Sequence, residues 1–451
     1  MTATARSFTV LVILAAAVGG LAFLRCEGAP PEVSIAGPVW LGKQPRDVTF
    51  TAHDEGSGLR RLEVVLETAE GARTLLETRA EGGWLLGTAG EEAGEYSVTL
   101  NSQGLRDGEA TLRVRATDWS WAHVLEGNTA EASVPVTIDT KPPRVSIESG
   151  LTYVQRAGAA SVIYRADGPL ARDGVLVDDA FFAGFPAPGG GDAGEGERRV
   201  AVFAVSRDAA ASPKIRVVAT DLAGNETSRG WAVEFKGREF ASVPVELPER
   251  FFAEKVPELA GAAGIEAADV PAAFKVINEQ VRAQNEARIA ELTRAASEPR
   301  HFQGPFVQMR NSKVTSRFAE ARSYRYGGQE ISRAIHYGYD LASTANAPVT
   351  ASNAGRVIFA EDLGIYGGCV ILDHGLGVTS LYGHLSGIDV AVGEVVEKEQ
   401  VLGTSGATGM AGGDHLHFAI LVGGVYVDPL EWWDARWMRD RVEARIAGAT
   451  P

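Results

Sequence analysis

Apolar and polar residues alternate along most of this chain, in short runs. R-L-E-V-V-L from Arg61, A-T-L-R-V-R-A from Ala110 and K-I-R-V-V-A from Lys214 each place their apolar side chains on one side of an extended segment. With turn residues between such runs, the stretch from Pro30 to about Phe235 predicts two antiparallel β-sandwiches. It also repeats. Pro30-Pro31-Glu32-Val33-Ser34-Ile35 is echoed by Pro142-Pro143-Arg144-Val145-Ser146-Ile147, and Val114-Arg115-Ala116-Thr117-Asp118 by Val217-Val218-Ala219-Thr220-Asp221. A Pro/Gly-rich insertion from Phe185 to Arg199 reads as a surface loop. After Phe240 the pattern changes to a helical one. Phe274, Ile277, Val281, Ile289 and Leu292 recur among polar residues from Ala267 to Ala296, which predicts one amphipathic helix stopped at Glu298-Pro299. From Gln303 strands return: R-V-I-F-A, C-V-I-L-D, V-T-S-L-Y-G-H and H-L-H-F-A-I predict a mostly antiparallel sheet with a groove on its polar face. Asp428 and Pro429 make an N-cap and first position for a terminal helix through Trp432, Trp433 and Trp437.

Length and composition narrow this reading. A chain of 451 residues has room for about three domains. Its formal net charge of −15 argues against a general nucleic-acid binder, since phosphate would be repelled. Phe8 to Leu24 carries no charge and follows Arg6, which predicts a membrane anchor rather than a cleaved leader, because Ala17-Val18-Gly19 falls inside the apolar run. The remainder is then extracytoplasmic. Arg25 before Cys26 makes a poor lipidation site, and Cys369 in an apolar strand reads as a small buried side chain. Two cysteines so far apart do not make a disulfide framework.

The chemistry lies between His336 and Phe418, where five of the eight histidines fall: His336, His374, His384, His415 and His417, with Asp340 four residues after the first. Period-two geometry puts His415 and His417 on one strand face, and Tyr382 and His384 together on the strand before. His336 and Asp340 flank Gly338, so a strand end or loop must turn both inward. His374, inside D-H-G-L-G, reads as a satisfied core or turn residue. A catalytic zinc takes three protein ligands, leaving two of the five remaining groups for proton transfer. No H-E-x-x-H helix is present, which excludes a helical zincin. G-T-S-G-A-T-G from Gly403 lacks the Lys-Ser/Thr ending of a phosphate loop.

On these motifs the segment from about Phe306 to Trp437 resembles the lysostaphin and LytM-type zinc endopeptidases of bacterial cell walls. H-x-x-x-D is His336 to Asp340, Y-x-H is Tyr382 to His384, and H-L-H-F is His415 to Phe418; Ser316-Arg317-Phe318 and the V-D-P at Val427 also match. Two departures are Ala319, where glycine is frequent, and Asp414, where proline is frequent. The resemblance implies one zinc ion per chain on His336, Asp340 and His417, a catalytic pair in His384 and His415, and peptidoglycan stem peptides as substrate. It also allows a non-catalytic activator or scaffold for other wall hydrolases, although such domains usually lack ligands. The two sandwiches resemble bacterial immunoglobulin-like modules, a possible surface for cell-wall or division proteins. The expected architecture is therefore mainly β and multidomain: an anchor over 1–29, immunoglobulin-like sandwiches over 30–140 and 141–240, a helical linker over 241–300, and an antiparallel metallopeptidase sheet with a C-terminal helix over 301–451.

Overall fold

The computed structural model describes residues 28–80, 93–188, 196–295, 297 and 299–447, with isolated positions 13, 16, 19 and 20. The expected anchor and the centre of the Pro/Gly-rich insertion lie outside the described residues. Among the described residues no helix is long and apolar enough to cross a membrane. The fold is mainly β, in two compact units: Met1–Pro142 with Thr220–Glu226, and Pro143–Ala219 with Thr227–Pro451.

The first unit is a two-sheet sandwich. One sheet runs Glu32–Ile35, Arg46–His53, Ala93–Leu100; the other runs Val39–Leu41, Thr129–Ile138, Gly108–Asp118, Leu59–Thr68, Gly71–Arg79. Alternation does the folding work here: Phe50, Val64, Leu66, Leu100, Leu112 and Val114 turn inward into a single core.

The repeated Asp118 and Asp221 have a shared structural reason. Asp118 is buried, and its carboxylate accepts the backbone N–H of Asn128 at 2.7 Å and the Asn128 side-chain amide at 2.9 Å. Asp221 does the same with Asn225, at 2.8 and 2.9 Å. Each ends a strand with a carboxylate clamp on a loop asparagine, satisfying groups that burial would otherwise leave unpaired.

In the second unit the expected second sandwich has its strands joined through Ala180–Pro186, which pairs with Leu170–Val177 by its first half and with Glu197–Ala204 by its second. Its strands form one seven-stranded sheet, in the order Glu226–Arg229, Ile215–Asp221, Leu170–Val177, Ala180–Pro186, Glu197–Ala204, Ala159–Ala166, Val145–Ile147, beside a two-stranded parallel pair of Thr152–Gln155 and Val233–Lys236. The C-terminal helices pack against it. Ser161 Oγ donates to the Arg441 carbonyl at 2.6 Å, and Arg445 donates to Thr152 Oγ1 at 2.7 Å and to the Ser161 carbonyl at 2.9 Å. Tyr164, Phe182 and Phe203 of this sheet share one continuous core with Phe418, Tyr382 and Trp432 of the C-terminal region.

The C-terminal sheet runs Lys313–Ser316, Tyr339–Ala342, Leu416–Val422, Val378–Leu385, Gly368–Gly375, Gly355–Asp362, Val395–Val396. All four predicted strands are present and pair antiparallel. Both faces are buried, contrary to the expected polar face. One carries Tyr382, Phe418 and Ile420; the other continues past the groove as Ile371, Leu381, Ala419 and Leu421. Helices cover that second face. A strand at Ser242–Glu246 joins Glu320–Tyr326 in parallel, with Val245 opposite Tyr324. A helix at Glu249–Ala262, absent from the sequence reading, follows and buries Phe251, Phe252, Val256 and Leu259. The expected 267–296 helix is interrupted: Val270–Val276 and Arg282–Arg294 are α-helical, with a π-helical turn at Ile277–Val281 between them. The predicted cap is present, Asp428 accepting from the Leu430 N–H at 3.0 Å, but the terminal helix breaks at Asp434.

Candidate metal centre

Strand register brings the cluster together. Asp340 lies directly opposite His417 in the antiparallel ladder, and His417 is opposite Gly383 on its other side. His336 closes the strand Gln329–His336, and the turn through Gly338 carries the chain into Tyr339–Ala342. A Cβ at Gly338 would lie 2.6 Å from His417 Cε1 and Nε2 and 2.7 Å from the Phe418 carbonyl oxygen, so only glycine leaves room for the ring. His336 Nε2 stands 2.9 Å from Asp340 Oδ1 and 3.1 Å from His417 Nδ1, and His417 Nδ1 is 3.1 Å from Asp340 Oδ1.

The surroundings set which atoms face this point. His336 Nδ1–H donates to the Arg317 carbonyl at 2.9 Å, which leaves a lone pair on Nε2 directed at the cluster. This gives the Ser-Arg-Phe motif a role. Ala319, beside it, has φ +65, the left-handed conformation that glycine adopts without strain. The second departure from the family pattern is also accounted for: Asp414 accepts from Ser405 Oγ at 2.6 Å and from the Asn346 N–H at 2.9 Å, pinning the loop before His415. Arg322 Nη2 donates to Asp340 Oδ2 at 3.0 Å, so Oδ1 alone faces the histidines.

Beside the cluster stand the two further imidazoles. The His384 and His415 ring centroids are 4.8 Å apart, and His384 lies 5.8 Å from His417. His384 Nδ1–H donates to the Thr408 carbonyl at 2.9 Å and His415 Nδ1–H to the Gly413 carbonyl at 2.8 Å, freeing both Nε2 atoms. The glycine-rich loop therefore orients both rings, since the His415 N–H also donates to the Gly406 carbonyl at 3.0 Å.

Burial shapes the electrostatics. Desolvation, helped by His415 and His417, holds the His384 imidazole well below its ordinary range, so it is neutral. His417 is pushed down to about 4, chiefly by burial. For Asp340 burial alone would raise the carboxyl, but the charge and hydrogen bonds of His336, His415 and His417 outweigh it and hold it well below the usual carboxylate range. His415 moves up: burial opposes this, yet the Asp340 carboxylate 3.6 Å from its Nε2 prevails.

Three donor atoms meeting at one point need something positive between them. Their separations approach the edge of about 3.3 Å that bonds of 2.0–2.1 Å give a tetrahedral zinc site. All three are buried, at 5–8 % exposure. His336, Asp340 and His417 thus form a group able to hold a metal ion.

One sequence expectation changes. Tyr382 does not share a face with His384. It is 1 % exposed in the core, 5.4 Å from the Phe418 ring, and its hydroxyl accepts from the Ser352 N–H at 2.7 Å. The reason is the backbone at His384, whose φ of +64 breaks the strand alternation and turns the imidazole to the groove. His374 is a satisfied core residue, one of the two roles expected of it: it is fully buried and bonded to the Ala354 carbonyl and Ser380 Oγ at 2.7 Å each. Three groove residues escaped the sequence reading: Arg322, Arg282 and Tyr366, whose ring lies 5.4 Å from that of His417. The alternation Glu320, Arg322, Tyr324 offered a signal for the first; the other two had none.

A cleft that turns a His-Asp-His set to one point, with two imidazoles alongside, defines the class of metallopeptidase-type domains. Residues 334–429 match Peptidase family M23, within the segment that resembles the LytM and lysostaphin enzymes. Among curated relatives, the DD-carboxypeptidase/endopeptidase Mpg of Neisseria meningitidis is 40% identical over 96 residues, 21% of this chain and 22% of that protein. Peptidoglycan DD-endopeptidase ShyB of Vibrio cholerae is 32% identical over 119 residues, 26% of this chain and 27% of that one. The chain thus spans only about a quarter of the length of these relatives. Of solved structures, the catalytic domain of the antimicrobial peptidase lysostaphin from Staphylococcus simulans is 29% identical, covers 27% of this chain and 92% of its own, with a TM-score of 0.24.

Proposed function

We propose that this protein is a zinc-dependent endopeptidase that hydrolyses peptide cross-links of bacterial peptidoglycan at the cell envelope. The observation that carries this reading is the pairing of a three-donor cluster with two imidazoles whose Nδ1 protons are already committed to carbonyls. His336, Asp340 and His417 would hold the ion, which when bound supplies Lewis acidity toward the scissile carbonyl and the attacking water. The chain's own groups do the rest. His384 or His415 takes a proton from water at its free Nε2, and the other ring, once protonated, donates to the oxyanion that develops. Arg322 fixes the Asp340 carboxylate, and Arg317 and Thr408 fix two rings through their carbonyls. Retention of all five groups disfavours the alternative of a non-catalytic activator. Export and anchoring through Phe8–Leu24 rest on composition, and fit a wall substrate.

The test is a zymogram on purified cell walls, with and without chelator, beside metal analysis. Clearing by the wild type should vanish with chelator and return with zinc. His417→Ala should lose the metal; His384→Ala should keep it and lose about 10²–10⁴ in rate. A fully active His384→Ala protein would remove that residue from catalysis, and a metal-loaded wild type that leaves walls intact would favour the activator reading.

A further inference from the structure

The segment expected to be a spacer builds one wall of the groove. Val245, Leu247, Phe251, Phe274 and Arg282 line the same cleft of about 320 Å³ as the histidines and Asp340. Four of these are apolar; the fifth is a cation, and its setting is unusual.

Arg282 follows the π-helical turn, an irregularity that recurs at functional sites. Among the described residues its guanidinium donates to Asn278 alone: Nη2 to Oδ1 at 2.9 Å, and Nε to Oδ1 and the carbonyl at 3.2 Å each. Asn278 is 1 % exposed and is itself held by the strand that ends at His336, donating to Ser332 Oγ at 2.8 Å and the Arg333 carbonyl at 3.2 Å. The cation is therefore pre-oriented by a neutral partner. Every acid of the groove is engaged elsewhere. Asp340 faces Arg322, Glu320 accepts from the Arg317 N–H at 3.0 Å, and Glu246 lies 4.0 Å from Arg325. Glu286, one turn along the helix, has its carboxyl raised by burial against the opposing charge of Arg282, with which it makes no ion pair.

In a chain of net charge −15, a fixed guanidinium that forms no ion pair among the described residues and faces this cleft is available to an anion. The geometry points to Arg282 as a specificity-determining residue that takes a free carboxylate of the peptide bound in the groove. This rests on the peptidase reading of the same cleft and narrows its substrate class to peptides carrying a carboxylate near the scissile bond. A planar guanidinium fits such a group with two parallel hydrogen bonds, which neither an amide nor an ester can replace.

The test is equilibrium binding to the full, zinc-loaded chain. The probes are an N-acetylated tri-alanine peptide ending in a free carboxylate, the same peptide as its carboxamide, and a matched pair of carboxamides with Glu or Gln in the middle. One acid should bind about ten-fold tighter than its neutral twin, as expected of a charge-assisted pair; which acid does so distinguishes a terminal from a side-chain carboxylate. Arg282→Gln should bring that ratio close to one. Arg282→Lys, which keeps the charge and loses the fork, should retain part of it, and unfolding curves of both variants confirm that they fold. Equal binding of acid and neutral peptides by the wild type, or a preference that survives in Arg282→Gln, would overturn the inference. Selectivity that depends on Arg282 in a chain that clears no cell wall would uphold it and remove the hydrolase reading; clearing without selectivity would do the reverse.

Discussion

Replacing Gly338 by alanine is the sharpest perturbation of the cluster that leaves every donor atom in place. The added methyl carbon would sit 2.6 Å from His417 Cε1 and Nε2 and 2.7 Å from the carbonyl of Phe418. Ordinary contact begins near 3.4 Å, so about 0.8 Å must be found, and the Phe418 carbonyl belongs to a central strand that cannot yield it. The imidazole has to move instead. Metal–ligand distances tolerate about 0.2 Å, so the displacement is some four times what the site can absorb. Overpacking of this kind costs about 1–3 kcal/mol of stability. We expect Gly338→Ala to fold with a lowered melting temperature and to bind zinc about 10- to 100-fold more weakly, the range seen when a ligand's support is disturbed. Competition against a chromogenic chelator measures the affinity, and calorimetry the stability. A Gly338→Ala protein that folds and holds zinc as tightly as the wild type would show that His417 Nδ1 is not a ligand, or that the turn is far softer than its packing indicates.

Two further outcomes follow from other contacts. Arg322→Met removes the donor to Asp340 Oδ2 and should weaken zinc binding about 10- to 100-fold; an unchanged chelator titration would mean the guanidinium does not position that carboxylate. Glu431 is pushed up to about 7, mainly by burial, against the hydrogen bonds it accepts from Ala159 and Gln155. Its folded value lies above the unfolded one, so the native state holds the extra proton between about pH 4.5 and 7, and stability falls as pH rises through that window by up to about 3 kcal/mol. Chemical denaturation at pH 5 and pH 8 should show the loss in the wild type and a smaller one in Glu431→Gln; parallel losses in both would assign the effect to other groups.

Local patterns made much of this legible from the sequence. Alternating runs gave the first sandwich and the four central strands of the C-terminal sheet, because each strand's own register decides which side chains turn inward. The His-x-His and His-x-x-x-Asp spacings foretold a cluster for the same reason, since Asp340 and His417 need only one cross-strand pairing to meet. What failed depended on long-range packing or on a single backbone angle. Tyr382 was assigned to the groove because period two was carried through His384, where the left-handed conformation ends it. The polar sheet face was expected because nothing local says that Phe251 and Phe274, over a hundred residues upstream of Leu381 and Ala419, would cover it. Nor do the strands of the second sandwich carry any mark of the helices from near the far end of the chain that pack on them.

The helical cover has a bearing on where this enzyme-like module begins. The stretch matching the peptidase family starts at residue 334, yet Cys369, Ile371, Leu381 and Leu421 are kept dry by side chains from 251 to 289. Excised at the family boundary, the sheet would present a bare greasy slab and shed one bank of its own cleft. Natural shuffling or laboratory dissection that keeps the cleft whole must therefore cut ahead of Ser242 at the latest, so that the sheet travels with its roof.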